Sequence, residues 1–120
     1  MGEIKNSKPF DLEERTLLFA KEVIKFVEEL PKTISTTELI KQLIRSAGSV
    51  GANYIEANEA LSKKDFVMRI KISRKEAKES RFWLMLIENK TTETDDKRKK
   101  LIQEAMELTK IFGAILEKSK

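Results

Sequence analysis

Residues 39–61 read LIKQLIRSAGSVGANYIEANEAL, and the fold follows from this stretch. Its apolar positions recur at helical spacing: Leu39 and Ile40, Leu43 and Ile44, Ala47, Val50 and Gly51, Tyr54, Ala57, Leu61. That period turns one stripe of a helix into a core. The middle is built from small residues: Ala47, Gly48, Ser49, Gly51 and Ala52. A glycine inside a helix costs about 1 kcal/mol relative to alanine, so Gly48 and Gly51 call for compensation. Close approach of a neighbouring backbone would supply it. The stretch reads as the central helix of a tightly packed bundle.

Upstream, residues 1–10 read as a polar arm ending at Pro9 and Phe10. Asp11 and Glu14 have capping-box spacing and open a first helix, onto which Phe10 can staple. Leu12, Phe19, Val23, Phe26 and Leu30 form its stripe, widened by Leu17, Ala20, Ile24 and Val27. Pro31 ends it, because proline cannot continue the hydrogen-bond ladder and restrains the residue before it. Ser35 with Glu38 is a second capping box and opens the central helix.

Downstream, Ser62 with Asp65 repeats the cap and places a turn near residues 61–63. No glycine or proline there forbids one continuous helix. A third helix runs from about residue 63 to residue 89, with Phe66, Ile70, Ala77, Leu84 and Ile87 inward and Ser73 and Ser80 as small stripe residues. Thr94 or Asp95 caps the last helix, whose stripe is Leu101, Ala105, Leu108, Phe112 and Ile115. Short connections favour antiparallel neighbours. The expectation is an all-α, antiparallel up-down-up-down four-helix bundle filling residues 11–120 as a single domain.

Composition agrees. The chain has 120 residues, 40% hydrophobic and 37% charged, with two prolines and four glycines, a long-helix profile. It has no cysteine and no histidine, which removes disulfides, thiolate metal sites and the commonest general base and metal ligand. No P-loop, dinucleotide turn or nucleophile–base pair is present. Nothing reads as an enzyme, and no cofactor is expected. No apolar run approaches the roughly 20 residues of a membrane span. Residues 1–10 lack the apolar core of a secretory signal, and Asn6 stands where a myristoylation motif takes Ser or Thr. The expectation is a cytoplasmic protein without membrane contact.

The third helix carries two further patterns. Met68, Ile72, Trp83 and Leu86, with Phe82 near them, form a second apolar row roughly opposite the first. One buried stripe suffices for a monomeric bundle, so the second implies self-association. The same helix carries a basic set, of which Lys64, Lys71, Lys75 and Lys78 share one side. Such a row either contacts phosphates or keeps the surface solvated. Lys97, Arg98, Lys99 and Lys100 form a second basic cluster with the same two readings. The net charge of +4 permits nucleic-acid binding without demanding it.

Arg74 and Arg81 fall at the edge of the apolar stripe and call for carboxylate partners from Glu56, Glu59, Glu76, Glu79 and Glu88, within or between subunits. Asn53 and Glu56 lie one turn apart beside Tyr54 and read as buried polar residues that fix register. Glu56 and Glu59 are spaced for a metal or acid–base pair, but a di-iron bundle needs Glu-x-x-His and no histidine exists. Phe82, Trp83 and Tyr54 either stack on bases or belong to core and interface.

Three stretches together resemble the family of four-helix bundle proteins also called 23S rRNA-intervening sequence proteins. IRSAGSVGANYIEA resembles its small-residue helix, where an Asn is followed three positions later by a Glu, here Asn53 and Glu56. ALSKKDFVMRIKIS resembles the Ser/x/x/Asp-Phe start of its third helix, and AKESRFWLMLI continues the likeness, with Glu79 at that helix's Glu. Gly51 departs from the proline of many relatives, which implies a straighter helix. The resemblance implies an up-down-up-down bundle, commonly a ring-shaped homopentamer. A similar protein serves retroelements as an accessory factor, binding nucleic acid and a reverse transcriptase through its basic surface. The expected function is a homo-oligomeric bundle binding structured RNA or DNA non-specifically. The alternative is an oligomeric scaffold or adaptor for a protein partner.

Overall fold

The computed structural model describes residues 12–88 and 91–120. They form four helices and no strand: α1 (Leu12–Glu28), α2 (Ile34–Asn58), α3 (Lys63–Leu86) and α4 (Thr92–Lys118). The arm, the Asp11 cap and the Phe10 staple lie outside the described residues. Side-chain pairings fix the directions. On α2 and α3, Ser46 meets Ser80, Val50 meets Ser73 and Asn53 meets Arg69, an antiparallel register. Thr16 faces Gly51 and Glu13 accepts from Asn58, so α1 and α2 are antiparallel too.

The cores of all four stripes converge. Phe19, Phe26, Leu43, Ile70, Leu84, Leu108 and Phe112 are fully buried, each contributing about 1.5–3 kcal/mol of transfer free energy. Tyr54 packs on Phe112 with ring centroids 5.9 Å apart. The widening residues behave differently. Leu17, Ile24 and Ile44 stay exposed, and Leu61 sits fully exposed in the α2–α3 turn. Each helix touches only two neighbours, so the buried stripe is narrower than the apolar pattern.

Contacts are richest between α2 and α3 and sparsest between α1 and α4. Small residues explain the first. Ser46 and Ser80 hydroxyls meet at 2.9 Å, and Ser73 Oγ donates to the Val50 carbonyl at 2.9 Å. These buried hydroxyls are thus satisfied while letting the two helices approach closely. The α1–α4 side instead opens into a groove of about 1270 Å³, lined by Leu18, Phe26 and Leu101 among charged residues. Arg15 spans it to Glu104 and Glu107, with contacts of 2.7–2.8 Å, and Lys97 bonds Glu29.

Gly51 and Gly48 part company. A methyl group at Gly51 would stand 2.9 Å from Thr16 Oγ1 and 3.1 Å from its Cβ, so α1 does approach closely there. At Gly48 nothing lies within 4 Å, and the expected compensation is missing. Even so, α2 runs unbroken through both.

Helix boundaries shift by a few residues. The α2 cap is Thr33, not Ser35: the Thr36 amide donates to Thr33 Oγ1 at 3.2 Å. Likewise Thr91, not Thr94 or Asp95, caps α4, and Thr94 donates its amide to it. In both, an earlier threonine has the same capping chemistry. Ser62 caps α3 as read, accepting from the Asp65 amide at 3.0 Å, and the turn before it is real. The third helix ends at Leu86, where Ile87 turns extended and buries its side chain.

Candidate nucleic-acid interface

Because α3 turns Ile70, Ser73, Ala77, Ser80 and Leu84 inward, the intervening positions face outward. Lys71, Arg74, Lys75, Lys78 and Phe82 then fall on one side, spread over about 16 Å of helix at 1.5 Å per residue. Together with Glu79 and Leu116 of α4 they line a groove of about 440 Å³. Arg74 lies along α4 at Gly113, where a methyl group would stand 3.5 Å from its Nε. The groove therefore belongs to two helices, with α3 supplying the charge.

The one carboxylate lining this groove is compensated from outside it. Arg45 of α2 contacts Glu79 at 3.1 Å and the buried Glu76 at 3.5 Å. Lys75 reaches Glu76 only at 4.0 Å. Among the described residues, no carboxylate lies within ion-pair range of Lys71, Arg74 or Lys78. A groove with four cations and a compensated acid presents positive potential, which attracts phosphate.

Lys64 is exposed near the start of α3, outside the groove. The second basic cluster is largely engaged within the fold. Lys97 bonds Glu29, which holds its ammonium above the ordinary lysine value. Arg98 donates to Asp95 Oδ1 at 3.0 Å and to the Leu84 carbonyl at 3.0 Å, tying α4 to the end of α3. Lys99 reaches Asp95 at 3.4 Å. The Arg98 hydrogen bond, then Lys99, keeps the Asp95 carboxyl below the usual carboxylate range. Lys100 lines the α1–α4 groove instead.

The second apolar row divides. Met68 and Leu86 are about half exposed, as is their neighbour Met85, whereas Ile72 is half-buried and Trp83 packs against the core. Trp83 Nε1 is buried with no hydrogen-bond partner among the described residues. Phe82 is 55% exposed and stands edge-on to Trp83, centroids 5.2 Å apart at 69°. Its place is in the basic groove as much as in the apolar row.

Of the polar residues read as structural, Asn53 and Glu79 each reach a polar partner on a neighbouring helix. Asn53 donates to Ser49 and accepts from Arg69 at 3.0 Å, linking α2 to α3. Glu56 is exposed rather than buried. Arg74 and Arg81 are exposed too, with no carboxylate in ion-pair range among the described residues. The interhelical ion pair exists, but Arg45 makes it. Sequence reasoning missed Arg45, although its place between the apolar pair Leu43 and Ile44 and the small stripe residue Ala47 was a signal. Leu116 gave none, since only tertiary packing brings it beside α3. Among the described residues no acidic group could hold a metal ion, and no helix is long and apolar enough to cross a membrane.

The sequence pattern of the 23S rRNA-intervening sequence protein family matches residues 9–114. Among solved structures, the chain is similar to a protein with unknown function from the S23 ribosomal protein family of Bacteroides thetaiotaomicron VPI-5482. The two share 32% identity with a TM-score of 0.72, over 87% of this chain and 96% of that one. No curated protein matches the sequence.

Proposed function

We propose, for a chain that belongs to the 23S rRNA-intervening sequence protein family, a homo-oligomeric bundle that binds the backbone of structured RNA or DNA without strong sequence preference. The observation that carries the reading is the convergence of Lys71, Arg74, Lys75 and Lys78 on one groove whose lining carboxylate is held by Arg45. Lysine and arginine release counterions when they neutralise phosphates, and this term is independent of sequence. Self-association through Met68 and Leu86 would place several such grooves on one particle, raising avidity without new contacts. A short labelled RNA hairpin, followed by anisotropy, tests the reading. Affinity should fall steeply as salt rises; a flat response, or no binding at micromolar protein, removes it.

A second reading rests on the same half-exposed Met68, Met85 and Leu86: an oligomeric scaffold for a protein partner, with a merely solubilising groove. Replacing Lys71, Lys75 and Lys78 with glutamate separates the two, since only the nucleic-acid reading loses activity in cells.

A further inference from the structure

The basic groove has one component that backbone binding does not use. Phe82 closes the row of cations with its ring 55% exposed and braced edge-on against Trp83. An exposed aromatic among cations is poorly placed for a contact between identical copies. Burying it would also desolvate Lys71, Lys75 and Lys78, and removing unpaired charge from water is costly. It is well placed for a flat partner that arrives attached to phosphates.

Resting on the reading above, we propose that this groove selects nucleic acid with unpaired bases: a single strand or loop whose phosphates follow Lys71, Arg74, Lys75 and Lys78 while one base stacks on Phe82. A duplex offers the same phosphates but keeps the faces of its bases inside the stack, so the ring gains nothing from it. The dimensions agree. The roughly 16 Å from residue 71 to residue 82 takes about four to five phosphates at the roughly 3.4 Å of axis that each phosphate of one strand occupies. The Trp83 contact fixes the ring, which lowers the ordering cost of stacking on it.

The test compares a labelled oligo-deoxyadenylate strand, the same strand annealed to its complement, and a strand of equal length and charge with abasic sites. The wild-type chain should bind the intact single strand at least about fivefold more tightly than the other two, the low end of what one stacked base contributes. Phe82→Leu, which keeps apolar bulk without an aromatic face, should remove that preference. Duplex affinity and the salt dependence should stay unchanged, and Phe82→Tyr should retain the preference. Since the side chain is largely exposed, helical content should be unaltered by circular dichroism. Equal, salt-sensitive binding of all three probes overturns the base-stacking inference and leaves backbone binding standing. So does a Phe82→Leu variant that keeps the preference. No binding of any probe overturns both.

Discussion

Replacing Lys71 and Lys78 with glutamine removes two of the four groove cations without touching the core, since both side chains are exposed. On single strands each neutralised phosphate contributes about −0.7 to the slope of log affinity against log salt. Four contacts give a slope of about −2.8 per engaged copy, so raising salt from about 50 to about 200 mM should weaken binding about 50-fold. With two contacts left the slope is about −1.4, and the same change should weaken binding only about 7-fold. Anisotropy titrations at several salt concentrations give both slopes directly. Lys97→Gln is the control. It removes one formal charge where the pair removes two, but that ammonium bonds Glu29, so its slope should equal the wild-type value. If Lys97→Gln flattens the slope as much as the pair does, the phosphate site is not the α3 groove and the reasoning fails.

Gly48→Ala should stabilise the fold by about 1 kcal/mol, the helix-propensity difference, because its new methyl meets open space. Gly51→Ala should instead destabilise by about 1 kcal/mol net, since forcing a methyl against Thr16 costs about 1–3 kcal/mol; urea midpoints at constant m-value report both, and equal effects would refute the distinction. Arg45→Ala frees Glu79 at the groove and should weaken oligonucleotide binding although no groove cation is lost; unchanged affinity would show that the carboxylate does not matter. Met68→Glu with Leu86→Glu should dissociate any oligomer while sparing helicity, whereas Trp83→Glu would damage the core as well. Light scattering on the wild type decides first, and a monomer there ends the self-association proposal. Asp95 is held below the usual carboxylate range when folded, so its contribution is present above that range and lost as pH falls through its lowered value. Thermal melts should therefore show a shallower acid-side loss for Asp95→Asn than for wild type, and superimposable profiles would refute the assignment.

What periodicity could reveal was the inward stripe. Phe19, Leu43, Ile70 and Phe112 lie where a 3.6-residue repeat puts them, and the Ser62 cap is local chemistry readable from two residues. Stripe width was not readable. Leu17, Ile24 and Ile44 are as apolar as their buried neighbours, and only the number of adjacent helices decides that they stay wet. The Thr33 and Thr91 caps were missed because several Ser and Thr residues lie in tandem and equivalent hydroxyls compete. At the candidate site, helical spacing grouped Lys64 with Lys71, Lys75 and Lys78, and only the last three line the groove. The ion pair went to the wrong arginines because partner choice depends on how α2 and α3 are rotated against each other. The apparent strength of residues 97–100 came from counting charges in sequence, where Glu29 and the Leu84 carbonyl are invisible.

The first and last helices are strapped across their groove by opposite charges, while the middle pair meets through buried serine hydroxyls. Those two seams will not yield alike. Ionic straps slacken as electrolyte rises, whereas the buried serine hydrogen bonds between α2 and α3 do not. Salt therefore acts on the outer edge of α1, through Arg15 and Lys97, while Phe19, Val23 and Phe26 of the same helix stay buried in the core. Anything that competes for the carboxylates of Glu29, Glu104 or Glu107 loosens that edge before it reaches the apolar contacts beneath.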